Sequence, residues 1–365
     1  MRAFIRYFAD YLRNSSRPAL FITLLFVAAL VAGNYTFGIE WRIQALPWYA
    51  ALGGFFGFYA LVVALVWGLQ FEWGYKDRSL TAAPTLRGGR SKSIQISASA
   101  PPSGYFKPKM LLILALACLY FSLKMVHWSL PLPQGITPPW DRYTALVLQL
   151  PLKLLLLFIF LFAMYKGGLF AGENPDREKP DRENLVGENP DRENLAAENL
   201  NRENLAAAVG LTRRNNKLAP YFLLLLAVLP LIALAATQPD FQSVYPKLRN
   251  LSFIDGYAHP SWPWKLLYEL SYGLDFLGIE LFFRGLLVIA LLRFAGTDAI
   301  LPMAAFYCTI HFGKPLGECI SSFFGGLILG VLAARTRSIL GGLTVHLGLA
   351  WCMELAGWIA MNWHH

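Results

Sequence analysis

Residues 145–165 read ALVLQLPLKLLLLFIFLFAMY, a run of this chain broken by a single charge, Lys153. A helix needs about 20 mostly apolar residues to cross a hydrocarbon core roughly 30 Å thick. A buried helix of a soluble protein shows polar residues along one side, and this run has no polar side. It therefore predicts a transmembrane helix. Working outward, comparable segments lie at 19–34, 46–70, 110–128, 219–237, 265–294, 299–313, 317–334 and 338–362. With 145–165 they make nine candidate spans, of which the first and seventh are short. The fold class that follows is all-α, a polytopic transmembrane bundle of about eight or nine helices.

Composition agrees. Hydrophobic residues make up 56% of the chain and charged ones 15%, with a mean hydropathy of +0.42. Soluble domains carry roughly 25% charged residues. The net charge of +9 does not point to nucleic acid, because no basic stripe with interleaved aromatics is present. The basic residues instead gather in alternate loops: Lys76 to Lys109, Arg213 to Lys217, Arg293, and Arg335 with Arg337. The other loops hold Pro- and Trp-rich stretches at 131–140 and 260–264. By the positive-inside rule this pattern places the N-terminus in the cytoplasm. Cys118, Cys308, Cys319 and Cys352 lie in or beside apolar segments without metal-type spacing, and read as small core residues.

The chain divides into an N-terminal interfacial segment (1–18), N-terminal transmembrane helices (19–165), a cytoplasmic linker (166–218) and C-terminal transmembrane helices (219–365). The linker contains the pentads ENPDR, EKPDR, ENLVG, ENPDR, ENLAA, ENLNR and ENLAA over 173–207. A period of five matches neither helix nor strand, and Pro175, Pro180 and Pro190 oppose a continuous helix. It reads as low-complexity sequence grown by tandem duplication.

Ionisable groups within apolar spans cost at least about 2.5–3.5 kcal/mol each at the bilayer centre, so each needs a partner or a purpose. In the N-terminal half Lys153 either snorkels or faces an internal cavity. In the C-terminal half Glu269, Asp275, Glu280, Arg284, His311, Glu318, His346 and Glu354 accumulate. Glu280 precedes Arg284 by four residues, which sets both on one helical face. A Glu, an Arg and two His on successive spans supply a base for water, a cation to hold it ionised and donors for an oxyanion.

Glu280-Leu-Phe-Phe-Arg284-Gly285, a span ending in His311, a Gly-rich span and a Thr-Arg-Ser turn leading to His346 together resemble the CPBP family. These are the CAAX-processing and bacteriocin-processing intramembrane proteases, also called Abi proteins, and the resemblance covers about 265–355. It implies a membrane core of eight helices and an endopeptidase acting on a membrane-associated or lipid-modified peptide, in a bacterial inner membrane. It implies that Glu280, Arg284, His311 and His346 are catalytic, through glutamate-activated water and a stabilised tetrahedral intermediate. The family motif has two adjacent glutamates, the first activating water. Here that first position is Ile279, and the polar residue expected four after the last histidine is Ala350.

Two residues can stand in for the missing base, Glu280 itself or Glu318, seven residues beyond His311; Glu354 is the weaker supporting candidate. No cofactor is expected. Zinc held by Glu280, His311 and His346 is an alternative by ligand type, although no His-Glu-x-x-His motif is present. The two departures keep a second reading open, a catalytically silent member of the same fold acting in binding, immunity or maturation. A transporter is the third, without any inverted span repeat to support it.

Overall fold

A computed structural model describes residues 2–81, 107–126, 135–170, 204–213 and 218–363. Most of the pentad repeat (173–203) and the Ser/Gly/Pro-rich loop from 82 to 106 lie outside the described residues, as do Arg214 and Lys217. Every regular element among the described residues is helical. In chain order these are α1 (Arg2–Asn14), α2 (Arg17–Phe37), α3 (Ile39–Gln44), α4 (Trp48–Thr81), α5 (Pro108–Met125) and α6 (Trp140–Lys166). Within the 166–218 linker lies α7 (Leu205–Ala208), and after it come α8 (Ala219–Ala235), α9 (Pro239–Val244) and a 3₁₀ stretch, Lys247–Gly256. Next follow α10 (Trp262–Glu280), a π-helix (Leu281–Ala290), α11 (Leu292–Ala295), α12 (Ile300–Thr309), α13 (Leu316–Thr336) and α14 (Leu340–Trp363).

Among the described residues six helices are long and apolar enough to cross a membrane: α2, α4, α5, α6, α13 and α14. A seventh is reached if α8 and the segment from Pro239 to Gly256, bent by 94°, count as one span. The nine expected segments are thus pared. Segment 265–294 carries Lys265, Glu269, Asp275 and Glu280 and changes helix type after Glu280. Segment 299–313 contains only the ten-residue α12, entirely buried. α12 belongs to the protein interior, whereas α10 buries its Ser271 and Glu280 and leaves Leu266, Leu267, Leu270 and Leu274 exposed. Within the N-terminal segment, α1 is a helix packed on α13, and its Phe4 is edge-on to Tyr221 of α8 at 4.7 Å.

Local chemistry explains the joints. Ser16 caps α2 by accepting from the Ala19 N–H, and Gly38 ends it at φ 63°, a left-handed turn that glycine adopts without steric cost. Pro151 sits inside α6 and cannot donate to the carbonyl of Val147. The Ser271 hydroxyl of α10 donates to that carbonyl instead. In lipid a free backbone carbonyl is costly, so the proline both breaks a local bond and binds two helices together. α6 and α10 are accordingly among the most extensively packed pairs, second to α12 and α13.

α12 and α13 approach closely because Gly326 and Gly330 face them. A Cβ at Gly326 would stand 3.0 Å from the Tyr307 ring, and one at Gly330 2.6 Å from the Met303 methyl. Small residues at helix contacts let backbones approach in membranes. The largest core cluster joins α4, α5, α6, the π-helix, α12 and α13, and the polar site sits at its edge.

Candidate functional site: a buried string of Glu, His, Tyr and Arg

α10 ends at Glu280, and the π-helix that follows carries Arg284. A π-helix is rare and concentrates at functional sites; all ten residues of this one are buried. Glu280 is 0% exposed and Arg284 1%. Arg284 Nη1 lies 3.1 Å from Glu280 Oε1, an ion pair in distance, although its N–H groups are not aligned as hydrogen bonds. The guanidinium is held from its other side by the Tyr307 ring, with Cζ 4.3 Å from the centroid. A desolvated cation–π contact of this kind contributes about 2 kcal/mol.

His346 comes from α14. Its Nδ1 is 3.1 Å from Glu280 Oε1, and its Nε2 is 3.0 Å from the Tyr307 hydroxyl. A carboxylate only accepts, so Nδ1 carries a proton, and Nε2 meets the Tyr307 hydroxyl. The edge of Phe276 packs on the same ring at 4.8 Å. His311, in the turn after α12, lies within 2.8 Å of the Tyr307 carbonyl through its own Nδ1. A carbonyl has no proton to give, so His311 Nδ1 is also the protonated nitrogen and Nε2 keeps a lone pair. Tyr307 is therefore the hub: its ring meets Arg284, its hydroxyl His346 and its carbonyl His311. The sequence reading missed it, though its place four residues before His311 is the signal that could have found it.

The structure brings together all four residues expected to be catalytic. Glu280 and His346 touch directly, and His311 joins them through Tyr307. Glu318, on the first turn of α13, stands beside this string. Its Oε2 accepts from the Tyr245 hydroxyl at 3.1 Å, its Oε1 is 3.4 Å from Lys314 Nζ, and His311 is among its electrostatic neighbours.

The remaining charged groups have other partners. Glu354 accepts the backbone N–H groups of Lys247 and Leu248 at 3.0 and 3.3 Å, capping the 3₁₀ stretch, and lies outside the string. Asp275 pairs with Lys124 at 2.7 Å. Lys153 lines a small internal cavity with Asp275 and Tyr120, so it faces inward rather than snorkelling. Glu269 neighbours Glu354 instead of Glu280. The four cysteines are free, and Cys118, Cys308 and Cys319 are buried. No group of three or more His, Cys, Asp or Glu among the described residues is placed to hold a metal ion.

This constellation spans a defined stretch. Residues 262–352 match an Rce1-like family model. The family is described as type II CAAX prenyl endopeptidase Rce1-like. No curated protein and no solved structure matches the chain. The Rce1-like stretch begins at the start of α10 and ends within α14, close to the 265–355 expected from the motifs. It holds Glu280, Arg284, Tyr307, His311, Glu318 and His346, and leaves out Tyr245 and Glu354. Within it Ile279 is buried at 8% exposure in the apolar core, and Ala350 is buried at 5%.

Proposed function

We propose that the chain is an intramembrane endopeptidase that hydrolyses a peptide bond of a membrane-associated or lipid-modified substrate with glutamate-activated water. The observation that carries this reading is the continuous polar string Glu280–His346–Tyr307–His311, assembled from three helices around a buried arginine. Polar groups at this depth are expensive, and a purely structural ion pair would need only Glu280 and Arg284. The two histidines add ring nitrogens beside that pair, and Nε2 of His311 is an acceptor for water.

The loop charges support an N-terminus on the cytoplasmic side, and a bacterial inner membrane is the setting we propose. The 166–218 linker would then lie in the cytoplasm between the two transmembrane parts.

The reading is tested with purified full-length protein in detergent and a peptide library that includes lipid-modified members. Wild type is expected to cleave, and His311→Ala and His346→Ala to lose cleavage while keeping the wild-type melting profile. Equal cleavage by both folded variants would place the activity elsewhere. Ile279 and Ala350 favour a second reading, a silent member of the fold that binds such a peptide without cutting it. Binding by wild type with no product is the result that would select it.

A further inference from the structure

Water activation requires a carboxylate that is ionised, keeps a free lone pair and can touch water. Glu280 fails the last condition: its Oε2 has no hydrogen-bond partner, yet no part of the side chain is open to water. Its Oε1 is shared between Arg284 and His346. Its Oε2 faces Gly342 so closely that an added Cβ there would stand 2.5 Å away. Glu280 is a positioning residue that orients His346.

Glu318 meets all three conditions. Its side chain is 17% exposed. The Tyr245 hydroxyl and Lys314 each approach one oxygen, and an ionised carboxylate has about four acceptor sites, so lone pairs remain on both. It sits in the first turn of α13, where the helix dipole favours a negative charge. Its electrostatic neighbours are Lys314, His311, Tyr245 and Lys247, and His311 offers the unprotonated Nε2 derived above. A merely structural role for Glu318 explains less. A lysine placed four residues before a glutamate is the weaker orientation of that helical pair, and at 3.4 Å with Lys314 30% exposed it contributes little.

We propose that Glu318 is the carboxylate that activates water, with Nε2 of His311 accepting that water's second hydrogen. The inference rests on the endopeptidase reading. Glu318 removes one proton as the water oxygen bonds to the scissile carbonyl carbon, giving a tetrahedral oxyanion. The carbonyl re-forms as the C–N bond breaks, and the proton held by Glu318 passes to the departing nitrogen. Water and peptide become a carboxylic acid and an amine, with no other reactant. The carboxylate reaches the water from α13, not from α10.

The experiment measures kcat, KM and thermal melting of the full-length protein on a peptide that wild type cleaves. Glu318→Gln is expected to lower kcat by about 10²–10⁴-fold, with KM and melting near wild type. Glu318→Asp keeps the charge but retracts the oxygens, and is expected to lose about tenfold or more in kcat, a second arm should the glutamine variant not fold. Cleavage by Glu318→Gln or Glu318→Asp within about twofold of wild type would overturn the assignment. If Glu280→Gln is then the silent and folded variant, proteolysis stands and only this inference falls. A wild type that cleaves nothing removes the endopeptidase reading and this inference together.

Discussion

Arg284 is almost fully buried, and its compensation is one carboxylate contact and one aromatic face. A buried pair is weak evidence of net stabilisation, but removing one partner strands the other charge at about 3–5 kcal/mol. Arg284→Met is therefore expected to destabilise by that amount in detergent denaturation. Adding Glu280→Gln to it is expected to recover much of the loss, because the stranded charge goes. Strict additivity of the two substitutions would show that the groups do not interact. Gly342 is the second sensitive point. Its missing Cβ makes room for Glu280 Oε2, so Gly342→Ala forces the carboxylate to rotate away from His346. Overpacking of this kind costs about 1–3 kcal/mol, and the displaced His346 is expected to cut kcat more than it raises KM. Unchanged turnover in Gly342→Ala would show that the Glu280–His346 contact is not used.

At the scale of elements, the pairing of α6 with α10 rests on the Val147 carbonyl that Pro151 leaves free and Ser271 takes up. Ser271→Ala is expected to cost about 1–3 kcal/mol, the penalty for a buried unpaired acceptor. In a Pro151→Ala background the alanine N–H can bond to Val147 itself, so the same serine substitution is expected to cost markedly less. Equal costs in both backgrounds would remove the explanation. Such elements were only partly legible. Long uncharged runs such as 145–165 read correctly as spans, because in lipid apolarity and length are the physical requirement. Segment 265–294 read as one span, yet it is an α-helix joined to a π-helix, and no periodicity announces a π-helix. The motif spacing singled out Glu280, Arg284, His311 and His346, which the fold brings together. Tyr307 escaped, because a tyrosine in an apolar run looks like core until a neighbouring helix supplies His346. The partners of Glu354 were not legible, because they are backbone donors more than a hundred residues away in sequence.

Across the whole molecule, the N-terminal helices reach the site at the turn that joins His311 to Glu318. The Tyr35 hydroxyl of α2 donates to the Lys314 carbonyl. Glu40 of α3 packs against Gly313 so tightly that a Cβ there would stand 2.3 Å from its Oε2, and Gly313 has φ 76°. Two elements far apart in sequence thereby hold the turn between the proposed acceptor histidine and the proposed base. Burial pushes the Glu40 carboxyl up from 4.5 to about 7, with the Lys314 charge opposing. A carboxyl whose folded value exceeds its unfolded one favours folding in its protonated form. Its contribution is therefore whole below about 4.5, declines as pH rises because the unfolded chain ionises first, and is gone above about 7. Glu40→Gln keeps the neutral form at every pH. The melting temperature of wild type relative to Glu40→Gln is thus expected to fall through that window and then level off. Parallel curves for the two proteins would mean that Glu40 does not clamp the turn in its neutral form, and the hold of the N-terminal helices on the turn would then need to rest on Tyr35 of α2.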